Sequence, residues 1–171
     1  VALGEPFVIL QDDCIPLAGW EPAAISAREL LPDALIAFCL QAYVQQVSRS
    51  AFWRAMEQGP TLLQIRPQNW VPTLALGWTP ELAARCLYWD EVQTELRENA
   101  TADDGRLFHF QRGRLGEGIQ TWVTVPSLVD HPDDVPSVDG GGSGTGKAKR
   151  RPLALYAGDP AEITWRLQPL G

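Results

Sequence analysis

Apolar and polar positions alternate with different periods along this chain, and the periods divide it into helices and strands. The longest patterned stretch is Asp33 to Arg49, DALIAFCLQAYVQQVSR, which carries no charge between its two ends. Ile36, Leu40, Tyr43, Val44, Val47 and Ala51 recur at helical spacing, widened by Leu35, Phe38 and Ala42. Asp33, Gln41, Gln45 and Ser48 fall on one narrow polar seam. This spacing predicts a core helix over 32–48, started by Pro32 at its first position. Ser26 with Glu29 has the form of a capping box and predicts a short helical turn at 26–31. Ser50 to Met56 continues or restarts the helix, which stops at Gly59-Pro60.

A second long helix is predicted from Thr79 to about Glu98. Thr79 is the cap, Pro80 takes the first position and Glu81 meets the positive end of the helix dipole. Its apolar face is Leu82, Cys86, Trp89, Val92 and Leu96, with Glu81 and Arg85 at a supportive spacing.

The strand pattern is of two kinds. Pro6–Leu10 (PFVIL) and Thr61–Arg66 (TLLQIR) are short apolar runs closed by turn residues. Arg106–Gln111 and Ile119–Val125 read as a hairpin joined by RGRLGEG. Pro152–Tyr156 and Ala161–Gln168 read as another, and the second member alternates cleanly between Ala161, Ile163, Trp165, Leu167 and their polar neighbours. Ile15 to Pro22 reads as a loop broken by Pro16, Gly19 and Pro22. Trp70 to Leu76 is apolar but contains Pro72, which makes it an edge strand or extended loop closed by Gly77. Together these predict an α+β fold, with a mostly antiparallel sheet and two main helices packed on one face.

Residues 129–150 interrupt the pattern. Asp130, Asp133, Asp134 and Asp139, with Pro132 and Pro136, lead into Gly-Gly-Gly-Ser-Gly-Thr-Gly, a composition of flexible linkers that resembles an engineered spacer. The expected organisation is a main domain over 1–128, an acidic and glycine-rich linker over 129–150, and a C-terminal hairpin over 151–171 that joins the same domain. Gly141 to Lys147 matches GxxxxGK. A phosphate-binding loop would need a Ser or Thr hydroxyl at the next position and a following helix. Ala148 stands there, and Lys149-Arg150-Arg151-Pro152 leads towards a strand.

With 171 residues, one domain with a sizeable core is expected. The formal net charge of −7 argues against a binder of nucleic-acid phosphates. Three cysteines at wide spacing, Cys14, Cys39 and Cys86, form neither a zinc pattern nor a disulfide framework. They fit a reducing, cytoplasmic setting, and the apolar stretches are too short and too interrupted to span a bilayer. No secretory signal opens the chain, and its first residue, Val1, suggests a processed product or an excised piece.

Candidate chemistry is sparse. His109 and His131 are the two histidines, and either could meet Cys14, Cys39 or Cys86 only through the fold. Asp12-Asp13, Asp103-Asp104 and Asp130-His131-Pro132-Asp133-Asp134 are acidic loops, which solvation accounts for better than metal binding. No metal and no cofactor is expected. Seven tryptophans are the larger oddity. Trp89 and Trp165 fall on predicted apolar faces. Trp70, Trp78 and Trp20 fall in loop-like sequence, as covers of the core or as anchors for a partner. The functional expectation is a non-catalytic protein-interaction or scaffolding domain, bound to another protein as a subunit of a complex. The alternative is a small intracellular enzyme, or a degenerate one, with a Cys/His site.

Overall fold

The computed structural model describes residues 4–12, 14–40, 47–66, 73–93, 103–131 and 154–170. Among them β1 (Phe7–Leu10), β3 (Leu35–Ala37), β4 (Thr61–Ile65), β5 (Ala75–Trp78), β6 (Thr121–Val125) and β8 (Arg166–Gln168) build one sheet. Its strand order is β1-β5-β3-β6-β4-β8. A small ribbon pairs β2 (Ile15–Pro16) with β7 (Val129–Asp130). The helices are α1 (Trp20–Leu30), α2 (Arg49–Gln58), α3 (Pro80–Val92) and α4 (Asp103–Arg112). The fold is α+β. The sheet, however, is mixed: β1–β5, β5–β3 and β4–β6 are antiparallel, whereas β3–β6 and β4–β8 are parallel. The parallel pairs arise because the chain reaches β6 and β8 by long connections rather than by hairpins.

Helices cover both faces, not one. Alternation along the strands sorts the core into two halves. Ile36, Leu62 and Trp122 face α1, joined by Phe38, Ile163 and Trp165. Leu35, Ala37, Leu63, Ile65, Val123 and Val125 face the other three helices, which contribute Phe52, Ala55, Leu82, Trp89, Leu107 and Phe110. A strand buried on both faces reads as a continuous apolar run. That explains the largest correction. The segment 35–40 is not helical: Leu35–Ala37 is the inner strand β3, and Leu35 through Leu40 are each at most 1% exposed. The remainder of the predicted helix, 41–46, lies outside the described residues.

Local chemistry accounts for the helix ends. α1 begins at Trp20, behind Gly19 at φ 75°, a backbone region that suits glycine. Pro22 stands in its first turn, where a missing N–H costs nothing. Ser26 is therefore inside α1 and donates its hydroxyl to the Ala23 carbonyl instead of capping a helix. Arg28 closes the other end, its Nη1 donating to Ala34 O at 2.7 Å and Leu31 O at 3.0 Å. Ser48 Oγ accepts from Ala51 N at the start of α2, and Thr79 Oγ1 from Leu82 N at the start of α3, where Pro80 takes the first position.

The predicted strand 106–111 is instead the body of α4. Leu107, Phe110 and Gln111 are buried at the i, i+3, i+4 positions of a helix, and Phe110 stacks at a tilt on Trp89, centroids 5.9 Å apart. β5 begins after Pro72 and is internal, between β1 and β3, so neither an edge strand nor a loop describes it. Gly77 lies within β5 and does not close it: a side chain there would meet the Phe38 ring and Arg28 Nη2, each 3.1 Å from its Cβ.

The C-terminal stretch packs on the same sheet. β8 pairs with β4, Leu155 bridges to Ser127, and a short 3-10 turn at Pro160–Glu162 lies against α1. Among the described residues β8 does not pair with 154–156, and 161–162 belong to the turn, so the second predicted hairpin is not seen there; 152 and 153 lie outside the described residues. No helix among the described residues is long and apolar enough to cross a membrane.

Candidate functional site

Strand polarity gathers the polar residues at one end of the sheet. β1, β3 and β6 run in the same direction, because β5 is antiparallel to both β1 and β3, and β6 is parallel to β3. Their carboxyl ends therefore meet on one rim. Ligands of open sheets with covering helices commonly bind outside the carboxyl ends of strands. Here β1 releases Gln11 and Asp12, β3 releases Phe38, Cys39 and Leu40, and β6 releases Ser127, which leads to Asp130 and His131.

The rim is cross-tied by hydrogen bonds. Gln11 N donates to Leu74 O at 2.9 Å, and its Nε2 to Thr73 Oγ1 at 3.0 Å. Leu128 N donates to Phe38 O at 2.9 Å, while Leu40 N donates to Ser127 Oγ at 3.0 Å. The ribbon adds the last tie: Ile15 pairs with Asp130, bringing the turn Gln11–Cys14 alongside Asp130-His131. Cys14 N donates to Gln11 O and fixes that turn. Asp130 Oδ1 accepts the backbone N–H of His131 at 2.8 Å, leaving Oδ2 outside that bond. His131 is 5% exposed. Asp12 is exposed and Asp130 half-buried. The rim thus presents the Asp12 and Asp130 carboxylates and the half-buried Cys14 thiol on a scaffold of fixed backbone, with the His131 imidazole buried. No group of three or more metal-ligating side chains occurs among the described residues.

Cys39 and Cys86 are not tuned as nucleophiles. Burial, reinforced by the neighbouring Cys14, pushes the Cys39 thiol well above its ordinary range, against a backbone hydrogen bond at Ala75. Burial also pushes Cys86 up to about 11, opposed by Arg106. A catalytic thiol needs the reverse shift. Cys86 lies on α3 and His109 on the exposed face of α4, edge-on to Phe108.

The tryptophans singled out by sequence take other places. Trp20 is 9% exposed and packs edge-on against Phe38; Trp78 is 7% exposed within β5. Both cover core, and Trp70 lies outside the described residues, as does the glycine run 141–147. Among the described residues, the tryptophan that faces solvent is Trp53 on α2, at 60% exposure. Nothing in the α2 pattern set it apart from Phe52, its buried neighbour. The sequence also showed Asp12, Asp130 and His131, but as separate loops. Only the direction of β1 and β6 joins them.

Two shallow depressions lie at the opposite, amino end of β3 and β6. One, of about 370 Å³, is lined by Gln111 to Arg114 and Gly116 to Gly118. The other, of about 280 Å³, lies between Leu30–Ala34, Gly118 and Gln120. Glycine backbone and exposed arginines line much of the first, without a convergent set of polar groups. Comparison of the chain with protein-family models, with curated proteins and with solved structures returns no match.

Proposed function

We propose that this chain binds a small polar ligand at the carboxyl rim of its sheet. The observation that supports this reading is the parallel run of β1, β3 and β6, which brings Asp12, Asp130 and His131 to one end. Carboxylates accept hydrogen bonds and repel anions, so the ligand class is one rich in donors: cationic or polyhydroxylated. The three thiols fit a reducing compartment such as the cytoplasm. The test is a screen of such compounds followed by amide chemical-shift mapping. Shifts centred on Asp12, Leu40 and Asp130, and weaker binding by Asp12→Asn and Asp130→Asn, support the rim. Ligands that map instead to Arg112–Gly118 overturn it.

A second reading, a protein-interaction domain, has one observation in its favour. On α3, Ala84, Leu87, Tyr88 and Val92 form an outward stripe at helical spacing, with Leu87 65% and Tyr88 58% exposed. Large exposed apolar side chains in a row mark contact surfaces. Affinity capture with the parent chain and with Leu87→Asp/Tyr88→Asp separates the cases. A partner lost in the variant supports this reading; identical or empty captures refute it.

A further inference from the structure

Cys14 and Cys39 are 25 positions apart in sequence, yet the fold carries them to the same rim. Cys39 stands two residues beyond β3, and Cys14 one residue before β2. The two strand ends flank one residue of β5: Leu10 pairs with Ala75 on one side, and Phe38 N donates to Ala75 O on the other. The turn tied by Cys14 N to Gln11 O then folds Cys14 back, so that it packs on the core cluster containing Cys39. Leu17 N donates to Leu128 O and Leu128 N to Phe38 O, which ties the segment that carries Cys14 to the end of β3 from the other side as well. All three cysteines are thiols in this structure. Cys39 is buried and Cys14 half-buried, so an oxidant in solution meets Cys14 first.

We propose that Cys14 and Cys39 form an intramolecular disulfide when the chain meets a low-molecular-weight disulfide, pinning the Asp12 turn to the end of β3. The Cys14 thiolate attacks one sulfur of the small disulfide; its S–S bond breaks and one small thiolate leaves. The Cys39 thiolate then attacks the Cys14 sulfur, and the second small thiolate leaves. The protein loses two electrons, the small disulfide gains them, and the two cysteine protons end on the two released thiols. Burial of Cys39 makes the second step the slow one, so the mixed disulfide at Cys14 accumulates first. The loop closed contains α1, and closing it removes freedom from the unfolded chain. The bond itself does not depend on a ligand; its effect on ligand access rests on the rim reading.

The experiment titrates the whole chain with oxidised glutathione in a redox buffer and maps the products by non-reducing peptide mass spectrometry, with Cys86→Ser as background. The expected course is a transient adduct of one glutathione on Cys14, then a Cys14–Cys39 peptide pair and a higher melting temperature that dithiothreitol reverses. Cys39→Ser should stop at the adduct, and Cys14→Ser should take up no glutathione while native. A stable adduct on Cys14 in the Cys86→Ser background, or a bond only between chains, overturns the proposal. If the bond forms and a rim ligand binds both redox forms equally, the disulfide stands and the link to ligand access is lost.

Discussion

Ser127 Oγ accepts the backbone N–H of Leu40, 87 positions earlier in the chain, at 3.0 Å in a fully buried setting. Leu40 has just left β3 and Ser127 has just left β6, so this side chain extends the β3–β6 pairing beyond its last ladder rung. Ser127→Ala keeps the shape and leaves the Leu40 N–H without that acceptor. The expected cost is about 1–3 kcal/mol, the penalty for a buried donor left unsatisfied. Urea unfolding should show a lower midpoint with an unchanged slope. An unchanged midpoint would mean that Leu40 N finds another acceptor.

Trp165 acts on the opposite side of the sheet from α2. Its Nε1 donates to Ala23 O at 2.9 Å across a buried contact between the C-terminal stretch and α1. Trp165→Phe removes the donor and part of the ring, whereas Trp165→Ala removes the packing as well. Losses of about 1–2 kcal/mol and about 3–5 kcal/mol respectively are expected from these two levels of deletion. Equal losses in thermal unfolding would show that the hydrogen bond, not the ring, holds the tail to α1.

Gly116 is required by proximity and not by its dihedrals. A Cβ there would lie 2.6 Å from Gln111 Cα and clash with the Phe110 carbonyl, so a second 3-10 turn, Arg114–Gly116, rests directly on the end of α4. Gly116→Ala must push backbone from backbone, with an expected cost of about 1–3 kcal/mol or more. Gly4, whose Cβ would meet nothing within 4 Å, is the matched control. If Gly4→Ala and Gly116→Ala melt together, the close approach is absent in solution.

What the sequence shows of this fold depends on how each element is buried. α3 was legible because its cap is local: Thr79, Pro80 and Glu81 carry the whole signal. β4 and β6 were legible as apolar runs between turn residues. β3 was not, because a strand with Leu35, Ile36 and Ala37 all buried has no period of its own, and the neighbouring residues supplied a helical one by coincidence. In α4 the alternation of Leu107 and His109 with aromatic Phe108 and Phe110 imitated a strand. The deciding residue was Trp89, a partner distant in sequence that buries Phe110. The rim was illegible for a different reason. Asp12 and Asp130 lie on separate segments, and only the strand order and direction bring those segments to one end.

The Cys86 thiol gives the fold a measurable pH dependence at the alkaline end. Burial raises it from an ordinary value of 9.0 to about 11, and the Arg106 charge only partly offsets that. The native state therefore holds the thiol proton more tightly than the unfolded chain does. Below pH 9.0 both states keep the proton, and this contribution to stability is complete. Between 9.0 and about 11 the unfolded chain releases its proton first, so stability falls as pH rises through that window. Cys39, raised in the same direction by its burial, adds to the same slope. The thiol is isolated by difference: Cys86→Ala should flatten the urea midpoint against pH above 9.0, relative to the parent chain. Parallel curves for the two proteins would place Cys86 in water rather than between α3 and the core.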